Sequence, residues 1–356
     1  MIGERIKRAR KASGLSLRGL ADKIGVSHTA INKFERGELI PNSGQLLLIS
    51  QTLGVRSEFF LRSSEITITD LEYRKRSNLK IKVLNKIKAA ALDQAERWIE
   101  LLGLYPELPI KPFQLPESLP ATITSGEDIE NAAAAVRRAW NLGQGPIQCM
   151  IDTLESKGII VVVTSTDGDE TFDGFSAQAN GQRLIVVSAH WPGDRLRFTL
   201  AHELGHLIIK DKLSPELNEE KACHHFAGAL LLPQESIIES FGMHRKNLDP
   251  KELLLLKHAY GLSMQGCLVR AWQAAIISQK KYQDCFRQFS RNGWRKREPG
   301  LPYPSEQTVL FEKLVYRGLA ESYFGESKAA QLLSMPLVAF RQSRCLQSGE
   351  LLVCKC

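Results

Sequence analysis

Phe198-Thr-Leu-Ala-His202-Glu203-Leu-Gly-His206-Leu-Ile-Ile209 is an apolar run carrying two histidines four residues apart, with a glutamate between them. An i, i+4 pair lies on one face of an α-helix, one turn apart, so His202 and His206 can aim their imidazoles at one point. That geometry suits a single metal ion. The flanking Phe198, Ala201, Leu204, Gly205, Leu207 and Ile208 predict a buried helix. Two imidazoles and a carboxylate are costly there unless something satisfies them. A tetrahedral catalytic zinc takes three protein ligands and leaves a fourth position to water. Downstream, Asn218-Glu219-Glu220-Lys-Ala-Cys223-His224-His225-Phe226-Ala227 leads through a leucine run to Pro233 and reads as a second helix. On it Glu220, Cys223, His224 and Ala227 share one stripe. Glu220 is the expected third ligand, because Glu219 points about 100° away on an ideal helix. Cys223, a soft donor, offers a closed structural site as the alternative, but such a site has no use for Glu203. His224, His225 and Tyr260 are candidates for stabilising a developing oxyanion.

Outward from this centre, residues 129–140 and 147–157 read as helices and 158–164 as a buried strand. Residues 171–179 and 183–188 read as strands around Asn180-Gly181, a two-residue hairpin signal. Trp191-Pro192-Gly193 turns the chain, and Asp194 is placed to cap the metal helix. The small sheet is expected to be backed by helices. After Pro233 the chain is expected to stay helical.

The chain has 356 residues, 43% hydrophobic and 24% charged, which fits several domains with a sizeable core. No apolar run is long enough to span a bilayer, and MIGERIKRARK opens on charges without an apolar leader; a cytoplasmic location away from membranes is expected. Seven scattered cysteines with no CxxC pair predict reduced thiols, with Cys354 and Cys356 on a surface tail. The net charge of +8 favours an anionic partner.

That charge is concentrated at the start. Residues 1–60 hold ten Lys/Arg against five acids. A first helix stops at Ser13-Gly14; Ser16 can cap a second, and Ser27 a third that runs to Arg36. Gly25 stands at the corner between them, where φ > 0 is wanted. Two short helices meeting at such a corner read DNA, with the second in the major groove. LSLRGLADKIGVSHTAINKFERGELIPN resembles the XRE (Cro/C1-type) helix-turn-helix family over about 60 residues, with Leu20-Ala21, Gly25-Val26-Ser27, Ile31 and Glu35-Arg36-Gly37 in register. The resemblance implies an operator in double-stranded DNA, contacted by Arg18, Ser27, His28, Thr29, Asn32 and Lys33, and an internal Arg10–Glu35 ion pair. Leu17 stands where the family commonly has a phosphate-contacting glutamine, and Arg18 can replace it. A homodimer is compatible with such a reader.

FTLAHELGH followed by E-x-x-C-H-x-F-A-G-A-L-L-L-P is similar to the ImmA/IrrE family of zinc metallopeptidases, whose members often carry an XRE domain in front. Residue by residue, the resemblance implies His202, His206 and Glu220 as Zn2+ ligands and Glu203 as general base. It also implies a protein substrate, such as an XRE-type repressor. Two rivals are a non-proteolytic transcription factor whose metal domain senses a ligand, and an antitoxin-like DNA-binding protein.

The expected fold is therefore α+β, multidomain and mostly helical. Residues 1–62 form an all-α helix-turn-helix domain, and 63–125 a linker with a long basic helix and prolines at 106, 109, 112, 116 and 120. Residues 126–275 form a zincin-like metallopeptidase domain with a small β-sheet, and 276–356 a helical C-terminal region. Within the last, the basic stretch 280–297 reads as a nucleic-acid contact or an exposed tether. Residues 325–340 resemble a weaker helix-turn-helix unit, read as a helical cap.

Overall fold

The computed structural model describes residues 2–62, 68–69, 81–165 and 172–345. The basic run at 74–76 with Lys80, the first residue of the strand expected at 171–179, and the cysteines at 354 and 356 lie outside the described residues. The fold is α+β and mostly helical.

Five helices open the chain: α1 (Ile2–Ala12), α2 (Leu17–Ile24), α3 (His28–Arg36), α4 (Ser43–Leu53) and α5 (Ser57–Leu61). Ser16 and Ser27 cap α2 and α3 by accepting the N–H of Gly19 and Ala30 at 2.9 and 3.1 Å. Gly25 sits between them at φ +72°, a conformation that a Cβ disfavours. The fixed corner lets Leu20, Ile24, Ile31 and Phe34 meet Ile6, Ile49 and Phe60 in one small core. Arg10 donates to Glu35 at 2.9 Å, the ion pair anticipated from the sequence.

A two-residue strand β1 (Ile68–Thr69) and the long α6 (Ile81–Gly103) follow; then come α7 (Gly126–Ala139), α8 (Met150–Ser156), β2 (Ile159–Thr164), β3 (Gly174–Ala179) and β4 (Gln182–Ser188). The sheet order is β1-β3-β4-β2, with β2 parallel to β4 and the other pairs antiparallel. Asn180 and Gly181, both at positive φ, make the hairpin turn expected of them. Alternation along the strands decides the layers. Ile159, Val161, Ile185 and Val187 face one core, whereas Ile160, Val162, Leu184 and Val186 face another.

The first face is covered by α7, α8, α9 (Gly193–Ile209) and α10 (Glu219–Leu231), with α11 (Gln234–Phe241), α12 (Pro250–Tyr260), α13 (Met264–Gln273) and α14 (Gln279–Arg291) behind them. The second is covered by Trp98 and Leu101 of α6 and by α15 (Leu310–Ala320), α16 (Glu326–Leu332) and α17 (Leu337–Arg344). Among the described residues no helix is long and apolar enough to cross a membrane.

Two expectations are corrected. Asp194 does not cap α9, because Pro192 holds the N-cap position without a side-chain bond. Its carboxylate is instead buried and bonded to Lys257 Nζ at 3.0 Å. The 280–297 stretch is not an exposed tether: Cys285 and Phe289 bury one stripe of α14 in the main core, and its cations occupy the other side.

Candidate metal centre

From Phe198 onward helix α9 is mostly apolar, as a helix running through a core must be. Asp194, Arg195 and Arg197 stand in its first turns, and its two imidazoles and one further carboxylate lie beyond them. His202, Glu203 and His206 are 9%, 8% and 5% exposed. The two rings stand perpendicular, and their Nε2 atoms approach to 3.1 Å. Helix α10 lies against this face because Gly205 presents no side chain; a Cβ there would meet Cys223 at 3.3 Å. Asn218 starts α10 by accepting the N–H of Lys221 at 3.0 Å, which places Glu219 and Glu220 in the first turn. The positive end of the helix favours carboxylate charge at this turn.

Glu220 reaches the point between the imidazoles. Its oxygens lie 3.7 Å from His202 Nε2 and 3.8 Å from His206 Nε2. Ligand atoms of a tetrahedral zinc sit roughly 3.3 Å apart, so two imidazoles and one carboxylate at these separations fit the ion in number, type and spacing. Glu203 lies one residue beyond His202, buried on the same helix.

Two neighbours were not assigned this way from the sequence. Glu219 bonds the outer nitrogen of His206, Nδ1, at 2.8 Å, the carboxylate contact that orients a metal-ligating imidazole. Cys223 Sγ lies 3.2 Å from the same nitrogen, on the outer side of the ring and away from Nε2. His224 is in the immediate surroundings, with its ring 4.4 Å from that of His202 and stacked on Phe198. Its Nδ1 faces the backbone oxygen of Glu220 at 2.7 Å, so this nitrogen donates. His202, Glu220 and His224 together form a group whose ligand atoms lie within 4.8 Å of one another, which makes His224 an alternative donor.

The bed under α10 is polar as well. Glu130 of α7 receives His225 Nε2 at 2.6 Å and Arg270 Nη2 at 2.9 Å. Burial pushes the Glu130 carboxyl up, but the bonds from His225 and Arg270 outweigh it and hold the group at about 2. Helices α7, α10 and α13 are thereby tied around one ionised carboxylate.

At the other end of the chain, Arg18, Ser27, His28, Thr29 and Lys33 are exposed and Asn32 is half-buried, all on α2, α3 or the corner joining them. The Ser27 hydroxyl is engaged in capping α3. Leu17 is half-buried and packs against the core of this domain.

Residues 6–60 match the helix-turn-helix family model, and residues 155–271 match that of the IrrE N-terminal-like domain. Repressor protein C2 of Salmonella phage P22 is 22% identical over 199 residues, covering 54% of this chain and 88% of that protein. An SPbeta prophage-derived uncharacterized HTH-type transcriptional regulator, YonR, of Bacillus subtilis is 34% identical over 64 residues, which are 18% of this chain and 59% of the relative. The HTH-type transcriptional activator BcrR of Enterococcus faecalis is 38% identical over 86 residues, 24% of this chain and 41% of the relative. The chain thus joins a helix-turn-helix domain of the XRE type to a peptidase-family domain of the IrrE N-terminal-like kind.

Proposed function

We propose that the protein is a DNA-binding transcription regulator fused to a zinc-dependent endopeptidase, which cleaves a regulatory protein such as an XRE-type repressor. The supporting observation is the convergence of His202, His206 and Glu220 beside the buried Glu203. His202, His206 and Glu220 would hold the ion. Zinc bound there supplies Lewis acidity toward a scissile carbonyl and lowers the pKa of its bound water. Glu203 accepts a proton from the attacking water and delivers it to the leaving amine. Glu219 keeps the His206 ring turned so that Nε2 faces inward. DNA is read by the N-terminal domain, with Arg18 on phosphate and Ser27, His28, Thr29, Asn32 and Lys33 at the groove. A reader of this kind works in the cytoplasm, where the DNA is.

The test compares wild type with Glu203→Gln for zinc content and for cleavage of candidate XRE-type repressors. The variant is expected to keep one zinc per chain and to lose cleavage by at least about a hundredfold. A variant that retains zinc and cleaves as fast as wild type excludes the peptidase mechanism. The names of the three relatives, all DNA-linked regulators, favour one rival: a regulator that uses its metal domain only to sense. That rival requires Glu203→Gln to leave regulation unchanged. On the DNA side, operator affinity of the full chain should fall with rising salt and with Asn32→Ala. Binding indifferent to salt contradicts the phosphate contacts.

A further inference from the structure

A cleft of about 690 Å³ separates the DNA-reading domain from α6, a size typical of small-molecule sites. Arg8 of α1 and Arg56 and Arg62, which flank α5, line one wall; Val83 and Lys86 of α6 line the other, and Phe59 forms part of the floor. Asp93 is the carboxylate among the described lining residues, and it bonds Arg62 at 2.7 Å. Glu96 behind the wall serves Arg8, and Glu58 serves Arg56. Donor capacity is nevertheless left over. Arg8 Nε and Nη2, Arg56 Nη1 and Arg62 Nε are shut away from water and have no hydrogen-bond partner among the described residues. The ring of Phe59 stacks with the guanidinium groups of Arg8 and Arg62, offsetting part of their loss, but no described ring stands against Arg56. The Arg62 side chain is only 7% exposed, so its orphaned donor is a standing cost. An anion answers surplus buried guanidinium donors better than water does, and planar guanidinium matches phosphate and carboxylate alike.

We infer that this cleft binds a small molecule with one anionic head, phosphate or carboxylate, and a short apolar body. The head draws the Arg56 and Arg62 side chains toward the cleft, where their covered surplus donors reach it, and the body lies along Val83 and Phe59. Because its walls come from the DNA-reading domain and from α6, the ligand bridges the two and strengthens their docking. It thereby links a small-molecule signal to the DNA reader without using the metal centre.

The experiment titrates the full chain with hexyl phosphate, hexanoate, inorganic phosphate and hexanol, by calorimetry and by thermal shift. At least one of the two amphiphiles is expected to bind one per chain and raise the melting temperature; the tighter of them identifies the head group. Inorganic phosphate and hexanol should each bind at least about tenfold more weakly. Arg56→Ala, which alters a half-exposed side chain, should weaken the amphiphile about tenfold, the scale of one charge-assisted bond. Ala90→Trp fills the cleft without touching an ion pair and should abolish binding while leaving zinc content unchanged. Failure of both amphiphiles to bind wild type overturns the site, as does unchanged binding by Ala90→Trp. Inorganic phosphate binding as tightly as hexyl phosphate overturns the apolar half of the assignment. Should Ala90→Trp fail to fold, undiminished binding by Arg56→Ala overturns the site in its place.

Discussion

Glu219 and Glu220 are adjacent in the chain but face different partners, because successive residues on a helix diverge by about 100°. Glu220 turns toward the space between the imidazoles, whereas Glu219 takes the outer nitrogen of His206 at 2.8 Å. The divergence is legible in the sequence and makes Glu219 the weaker candidate for a ligand. Its partner is not, because a helical wheel gives a direction without saying what lies there. That depends on how α10 starts against α9, which Gly205 and the Asn218 cap decide. If Glu219 orients His206, Glu219→Gln retains one zinc per chain but binds it about 10–100-fold more weakly. Competition against a chromogenic chelator measures this, with Glu220→Ala expected to lose stoichiometric zinc. Equal affinity in Glu219→Gln and wild type would remove the orienting role. His202 and His206 need no tertiary information, since a spacing of four on an apolar run already places them on one face.

Elements are legible where local chemistry decides them and illegible where burial does. The Ser16 and Ser27 caps, Gly25 and the Asn180-Gly181 turn follow from side-chain bonding and φ alone. Asp194 has the chemistry of a cap but is drawn to Lys257 inside the core, and the cations of α14 mask its one apolar stripe. Helix α8 carries a related surprise in Glu155, which is 2% exposed. Burial pushes its carboxyl to about 8, although Thr308 Oγ1 donates to it at 2.6 Å. The folded chain therefore holds this proton at neutral pH, whereas the unfolded chain releases it above the ordinary 4.5. The resulting stability is fully present below 4.5 and is lost as pH rises toward 8, at about 1.4 kcal/mol per pH unit. Glu155→Gln keeps the shape and an acceptor for Thr308 but has no proton to lose. Thermal melts between about pH 6 and pH 8 should show the variant gaining on wild type as pH rises. A constant gap would mean that Glu155 is already ionised in the folded chain.

Over the whole molecule, α6 is the shared wall. Its Trp98 and Leu101 pack against the sheet, and its Glu96 and Asp93 hold the DNA-reading domain. In the sequence this helix shows only amphipathic spacing behind a basic run, which is equally compatible with a solvated spacer. The partners that bury it lie far away in the chain, so no local pattern reveals them. Glu96 is 1% exposed and accepts from Arg5 at 2.9 Å and Arg8 at 2.6 Å, with Arg62 Nη1 3.8 Å away. A buried carboxylate serving several guanidinium groups adds little over an apolar contact, yet removing it strands the cations at a cost of about 3–5 kcal/mol. That loss falls on the contact between the reader and α6, because Glu96 stands on α6 and its partners Arg5, Arg8 and Arg62 stand in the reader. Calorimetry of Glu96→Gln is therefore expected to split the unfolding, with the DNA-reading domain melting first and the remainder near its wild-type temperature. Glu58→Gln is the matched control, since Glu58 makes a half-exposed pair with Arg56 and its loss costs about 1 kcal/mol or less. An unsplit transition at the wild-type temperature would place the coupling elsewhere than Glu96. A split transition would make this carboxylate the contact through which the DNA reader and the rest of the chain unfold as one.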